Sequence, residues 1–453
     1  LLDRFFMKKI HIILFGLLFI GLNAQEIESN MLLLPSASSL QKSSLAHFEL
    51  DSLSIYQKVD SIITNGIKNE SFPGAQLLIA KEGNIIFHET YGFHTYDSIQ
   101  PVSPNDIYDL ASVTKILGPL PAIMKLVDEK KLDLDEPFST YWKPWKHRKD
   151  KRNITLREIL AHQAGLKPYI VFLNKTLKNN GQFKNRFIRN TSNKRFQNEA
   201  YEGIYVKNRF NRKMYRIINR SEVSADKKYT YSGLTFLIFP ELISQITGTS
   251  YEDYMAQEFY KPLGMKTFGF LPSTRNFTNK IVPTEIDTIY RHTLTQGWVH
   301  DENASLLGGI SGNAGLFGTA DDLAIIMQLF LQKGIYSGKR YISEKTIEEF
   351  TRTQYPENEN RRGLGFDKPY LNNSDFNLTD AYPAPEVGQD SFGHSGFTGT
   401  FVWADSEHEL VYIFLSNRVY PTRENRNIYT LNIRPAIQQV FYKAFDNAKQ
   451  HKP

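Results

Sequence analysis

The 453-residue chain reads as an α+β fold: one antiparallel sheet formed by both chain ends, flanked by helices, with a mostly helical subdomain inserted at about residues 105–350. Three observations predict it. A hairpin pattern occupies residues 74–91, with a Lys81-Glu82-Gly83-Asn84 turn between two apolar runs. Strand patterns return after Gly363, at 396–404 and 410–415, around a polar turn at 405–409. The long stretch between the two sets reads as short helical segments. Strands confined to the two ends must pair with each other to close one sheet, and helices must cover it.

Each element has its own signal. Residues 53–67 carry Ile55, Val59, Ile62 and Ile63 at helical spacing, ahead of the hairpin. A last helix is expected from about Pro435 to about Phe445, because proline suits a first helical turn. Thr319 followed by Asp322 reads as a helix cap with an acid at the third position. Pro119 and Pro121 are expected to interrupt the helical run that follows residue 112, since proline removes a donor and bends an interior turn. No repeat of solenoid period occurs.

Composition narrows the class. With 41% hydrophobic residues and a mean hydropathy of −0.39, the chain is neither polytopic in a membrane nor disordered. The absence of cysteine excludes disulfide scaffolds, thiolate zinc sites, a cysteine nucleophile and a lipid-bearing cysteine anchor. A net charge of +6 over this length is weak support for nucleic acid, which is not expected as a partner. From Met7, Lys8-Lys9 precede an apolar run at 10–22 and Leu22-Asn23-Ala24, the order of a secretory signal peptide over residues 1–24. Residues 1–6 are expected to be upstream translation. Residues 25–47 read as a linker, and 48–447 as the folded domain. Export to the periplasm or the exterior follows as an expectation, with no stable membrane span after cleavage.

Ser112-Val113-Thr114-Lys115 is the first motif that can carry chemistry. On a helix, positions i and i+3 share a face, so a serine hydroxyl and a lysine amine can meet, and an unprotonated amine can take the serine proton. The spacing also occurs at Ser39…Lys42 and Ser224…Lys227. Ser39 lies in the linker and Ser224 in a charged loop, whereas Ser112 opens an apolar run. An ordinary helix cap is the competing reading of Ser112.

The segments LASVTKILGPLPAIMKLVDEKKLDLD (110–135), ITLREILAHQAGL (154–166), YSGLTF (231–236), KPLGM (261–265) and GHSGFTGT (393–400) occur in that order. Together they resemble the serine β-lactamase and penicillin-binding-protein superfamily, most closely class C β-lactamases and related D-peptidases and esterases. VHDENA (299–304) and GNAGLFGTADDL (312–323) look like the stand-alone or glycosidase-linked hydrolases of that family. The likeness spans roughly residues 50–445. It implies Ser112 as acylated nucleophile, Lys115 as its base and Tyr231 as partner in proton transfer, with Tyr229 a competing candidate. It implies His394, Ser395 and Gly396 as the third motif, on a strand lining the site. The backbone N–H groups of Phe397 and Ser112 would form the oxyanion hole.

The chain departs from the family pattern in two of these motifs. Position 233 is glycine where a polar side chain is usual, and His394 stands where lysine is common. A histidine is only partly charged at neutral pH and holds a carboxylate less firmly. Both departures favour a D-peptidase, amidase or esterase acting on wall-derived peptide, amide or ester material. A β-lactamase, or a weakly catalytic penicillin-recognising binding protein, is the alternative.

Asp301, Glu302 and Asn303, beside His300, suggest a metal site at first sight, but no second histidine follows at helical spacing, so no metal is expected. Asn303 is expected at the pocket rim as a substrate contact. No cofactor fingerprint occurs. Residues 167–220 hold about fourteen Lys and Arg and two acids, Glu199 and Glu202. They read as a surface for an anionic polymer or as a solvated insertion.

Overall fold

A computed structural model describes residues 39–450 apart from 276, 278 and 279; the signal peptide and most of the linker expectation lie outside the described residues. The central sheet has six strands: β1 (Gln41–Lys42), β2 (Gly74–Lys81), β3 (Asn84–Gly92), β4 (Phe392–Ser395), β5 (Phe401–Asp405) and β6 (Leu410–Ser416). Their order is β1-β3-β2-β6-β5-β4. Every pairing is antiparallel except β1 with β3. The two chain ends meet where β2 pairs with β6, from Ala75 opposite Ser416 to Lys81 opposite Leu410. The expected sheet and its flanking helices are therefore present.

Six helices matter for the site: α1 (Ser52–Lys68), α2 (Thr114–Leu117), α3 (Pro119–Asp128), α4 (Phe210–Arg220), α5 (Ala320–Leu331) and α6 (Ile433–Gln450). Side chains alternate across a strand, so β2 sends Leu77 and Ile79 to one face and Leu78 and Ala80 to the other. The first face packs with Ile55, Val59 and Ile63 of α1 and Ile437, Phe441 and Phe445 of α6. The second packs with α5 and the helical subdomain. Buried on both sides, β2 and β6 are almost uninterrupted apolar runs.

Two boundaries differ from expectation. α5 falls inside the expected helical insertion yet lies on the sheet, because its Leu323, Ile326, Met327 and Phe330 are buried between the sheet and the rest of the subdomain. The strand expected at 396–404 begins only at Phe401 as β5; residues 396–400 are a turn containing Gly399 at φ 114°, and β4 ends just before it at Ser395. Within the mostly helical insertion, Ile188–Arg189, Asn198–Tyr201 and Ile204–Val206 form a small antiparallel sheet.

Candidate active site

The site lies where the sheet edge meets the helical subdomain. Tyr108–Asp109 pairs antiparallel with Phe317–Gly318. The chain then turns sharply: Ala111 has φ 44°, a left-handed conformation rare for a residue with a Cβ. Residues Ala111–Val113 form a 3-10 turn ahead of α2. In such a turn i and i+3 eclipse, which places Lys115 against Ser112. Lys115 Nζ donates to Ser112 Oγ at 2.9 Å and to the Asn313 carbonyl at 3.1 Å. Lys115 is 2% exposed, while Ser112 is only partly covered. The expected helix interruption falls at Gly118, after which Pro119 opens α3.

The strained turn is held from below by Asp109. Its carboxylate accepts from the N–H of Ala111 at 2.8 Å and of His300 at 2.7 Å. Burial pushes its pKa up, and those two N–H groups work against the shift. From the side, Thr398 Oγ1 donates to the Asp109 carbonyl at 2.7 Å and Thr400 Oγ1 to that of Leu110 at 3.1 Å. Gly396 sits in this closure. A Cβ there would come within 2.0 Å of Thr400 Oγ1 and 2.5 Å of the Leu110 carbonyl, so only glycine lets the end of β4 approach the serine turn.

Tyr231 belongs to a loop rather than a helix start, strapped to residues 162–168. Thr230 N–H donates to the His162 carbonyl and Gly233 N–H to that of Pro168. Ser232 Oγ donates to the Lys167 carbonyl at 2.7 Å. The Tyr231 ring lies 5.3 Å from Lys115 Nζ and 5.1 Å from the Arg362 guanidinium. The rings of His162 and His394 are 4.6 and 6.0 Å away. Its buried hydroxyl has no hydrogen-bond partner among the described residues. Tyr229 is exposed, and its hydroxyl accepts from Arg362 Nε at 3.2 Å. The structure thus brings Tyr231, not Tyr229, to Lys115.

His394 Nδ1 lies 2.7 Å from the Ser395 carbonyl, which fixes the proton on Nδ1 and leaves Nε2 a bare, buried acceptor. Burial, with Arg362 and Lys115 beside it, holds its pKa down at about 3. Where the family pattern often has a lysine charge, this chain has a neutral imidazole. Besides Lys115, the cation beside it is Arg362, buried and close to Asp367. Burial works against the Asp367 carboxylate, but Arg362 and Arg361 hold its pKa below the ordinary value.

Gly233 leaves the face of Lys115 open: a Cβ there would lie 3.9 Å from Lys115 Cε and 4.0 Å from Asn313 Cβ. Asn313 occupies part of that neighbourhood from another segment, with its carbonyl on Lys115 and its amide on Asp301 Oδ1 at 3.1 Å. Phe397 is 44% exposed at the rim. Its carbonyl accepts from Arg418 Nε at 2.7 Å, and its ring lies under the same guanidinium.

Asn303 is placed differently from expectation. It is 1% exposed, and its amide is engaged by the backbone of Ile170 and Phe172, so it ties its own short helix to the loop at 170–172. Asp301 caps the short helix Glu302–Leu306, Glu302 pairs with Arg423 at 2.7 Å, and His300 pairs with Glu285 at 2.8 Å. All three groups are engaged by protein partners. Asp109, His162, Asn313 and Arg362 were not singled out as site residues by sequence reasoning. Only Asp109 carried a local signal, a short acceptor immediately before a tight turn.

A serine hydroxyl beside a buried lysine, a tyrosine over that lysine, and a sheet edge closing on the turn are the arrangement expected of a serine hydrolase. The β-lactamase family model matches residues 59–434, and the chain belongs to that family. It is 29% identical over 410 residues to a putative D-alanyl-D-alanine carboxypeptidase of Salmonella typhimurium, covering 84% of this chain and 87% of that one. It is 28% identical over 401 residues to an N-acetylmuramyl-L-alanine amidase of Bacillus subtilis, covering 82% and 84%. Among solved structures, EstCE1, a hydrolase with promiscuous acyltransferase activity, superposes with a TM-score of 0.60 at 17% identity, over 85% of this chain and 98% of that one. The octameric penicillin-binding protein homologue from Pyrococcus abyssi gives 0.58 at 20% identity, over 82% and 76%. These two show the shared fold.

Proposed function

We propose that this serine hydrolase is exported and acts through an acyl-enzyme on Ser112, cleaving an amide or ester of cell-wall material as a D-peptidase, amidase or esterase. The observation that carries the reading is the 2.9 Å contact between Ser112 Oγ and Lys115 Nζ at the mouth of a buried cluster. Ser112 Oγ attacks the substrate carbonyl as the Lys115 amine, in its unprotonated form, takes the hydroxyl proton. The N–H groups of Ser112 and Phe397 hold the oxyanion, worth several kcal/mol in such sites. The Tyr231 hydroxyl, without a hydrogen-bond partner among the described residues, passes a proton to the leaving amine or alcohol, and the carbonyl–leaving-group bond breaks. A water molecule then attacks the acyl carbon, giving its proton back through Tyr231 and Lys115 and restoring Ser112.

The relatives named for D-alanyl-D-alanine carboxypeptidase and muramyl-alanine amidase activity support wall material as the substrate class. The neutral His394 favours an internal amide or an ester over a substrate held by its free carboxylate, because an uncharged imidazole offers no ion pair. The same two features, Gly233 and neutral His394, place efficient β-lactam hydrolysis second.

A substrate panel tests the proposal: a D-alanyl-D-alanine peptide, a muramyl-L-alanine amide, a p-nitrophenyl ester and a chromogenic cephalosporin, each with wild type and Ser112→Ala. Turnover of at least one of the first three, abolished in the variant, is expected. Unchanged turnover in Ser112→Ala would overturn the mechanism, and hydrolysis confined to the cephalosporin would establish the β-lactamase reading instead.

A further inference from the structure

The basic stretch of the insertion is gathered by α4 into a single face. α4 buries Phe210, Met214 and Ile218, which leaves Arg212, Arg216 and Arg220 exposed in one row at i, i+4 and i+8, about 6 Å apart along the axis. With Arg148, Trp142, Pro144, Tyr215 and Asn219 they line a groove of about 420 Å³. Over the crest of the same helix, Lys213 lies within electrostatic reach of Lys175, Lys184, Arg186 and Arg216. Burial, and then those four cations, lower the Lys213 pKa. Lys213 and Arg186 both lie over the Phe187 ring, at 4.0 and 4.8 Å.

A solvated insertion would spread or pair such charges. Here they crowd. Arg148 is paired with Asp150 at 3.3 Å, and Glu241 and Glu252 line the neighbouring groove beyond Arg212. Among the described residues, however, no acid forms an ion pair with Arg212, Lys213, Arg216 or Arg220. The insertion's Glu199 is engaged by the Gly203 N–H and the Tyr205 hydroxyl. Like charges held together without carboxylates repel one another, and the arrangement becomes favourable once an external anion neutralises it. Guanidinium forks are the side chains best matched to phosphate oxygens.

We infer that the α4 face, with Arg212, Lys213, Arg216 and Arg220 on helix and Arg148 and Arg186 beside it, is a binding site for a linear phosphate-bearing polymer. Regular spacing of the arginine row suits successive charges of an extended chain. Trp142 is 5% exposed, with its indole N–H on Asn219 Oδ1, and Phe187 lies under two cations. The groove therefore offers charge without the open aromatic platforms that single-stranded nucleic acid uses. The site is independent of Ser112.

Long-chain inorganic polyphosphate is the probe, with binding followed by fluorescence anisotropy across a salt series. The full chain is expected to bind, and Arg216→Gln/Arg220→Gln to weaken binding at least tenfold and flatten the log–log salt slope by roughly 1.5. Melting temperature and ester hydrolysis should not change. Lys58→Gln/Lys68→Gln on α1 is the charge-matched control and should bind like wild type. Equal weakening by both pairs would reduce the effect to net charge and overturn the site, as would unchanged binding in the arginine pair. Tighter binding of a single-stranded oligonucleotide of equal charge, or capture by phosphatidylglycerol vesicles without binding of polyphosphate, would also contradict it.

Discussion

At the nucleophile, the proposed chemistry depends on groups whose neighbours set their state. Lys115→Ala is expected to lower kcat at least 1,000-fold with little change in KM, because it removes a group used in the transition state; steady-state kinetics on the best ester checks this. His394 carries a pH signature. Its pKa is about 3 in the fold against an ordinary 6.5, so between those values the unfolded chain binds a proton that the native chain does not. Stability therefore rises with pH across this window and falls as pH drops from about 6.5 toward 3. His162, buried and shifted the same way by burial and by Arg362, adds to the loss. Urea unfolding from pH 4 to 7 should show that slope, and His394→Asn should make it shallower. A slope unchanged in the variant would show that His394 is not the group responsible. At Gly396, alanine would bring a Cβ against Thr400 and Leu110. Gly396→Ala is expected to cost about 1–3 kcal/mol of stability and most of the activity, read by thermal melts and by rate.

At the scale of elements, the serine turn is a joint between three segments of distant sequence. Asp109 couples them, since its carboxylate serves both Ala111 and His300 while its carbonyl takes Thr398. Asp109→Ala leaves two buried N–H groups unpaired, about 1–3 kcal/mol each. The turn at Ala111 then loses what holds its left-handed backbone. Activity should fall further than stability, and a comparison of kcat with the unfolding midpoint separates the two. Local spacing pointed to Ser112 and Lys115, whereas Tyr231 and the third motif were expected only through the resemblance that short ordered segments carry. Neither could reach Arg362, His162 or Asn313, whose parts in the site come from where the chain returns. Arg362 meets Tyr231 across more than a hundred residues, and Asn313 meets Lys115 across 198. Asn303 went the other way: a polar residue in a loop-like segment read as exposed, yet the fold buried it as a tie.

For the whole molecule, the sheet closed by both ends was legible because helix–hairpin and strands–helix patterns stand at opposite ends, and β2, β5 and β6 are short apolar runs bounded by polar turns. The break between β4 and β5 was less so, since an apolar run through Gly396 and Gly399 looks like one strand until the close approach to the serine turn is known. This architecture makes the chain ends interdependent. α6 covers the sheet face shared with α1, so a chain ending at residue 432 should expose Trp403, Tyr412 and Phe414 and fail to give a cooperative melt. The central claim is that Ser112 is the acylated residue. Incubation with a fluorophosphonate or a fluorescent penicillin, followed by peptide mapping in a mass spectrometer, tests it most directly. One adduct per chain, on the peptide carrying Ser112 and absent from Ser112→Ala, is the predicted result; an adduct on another residue, or labelling that persists in Ser112→Ala, would contradict it.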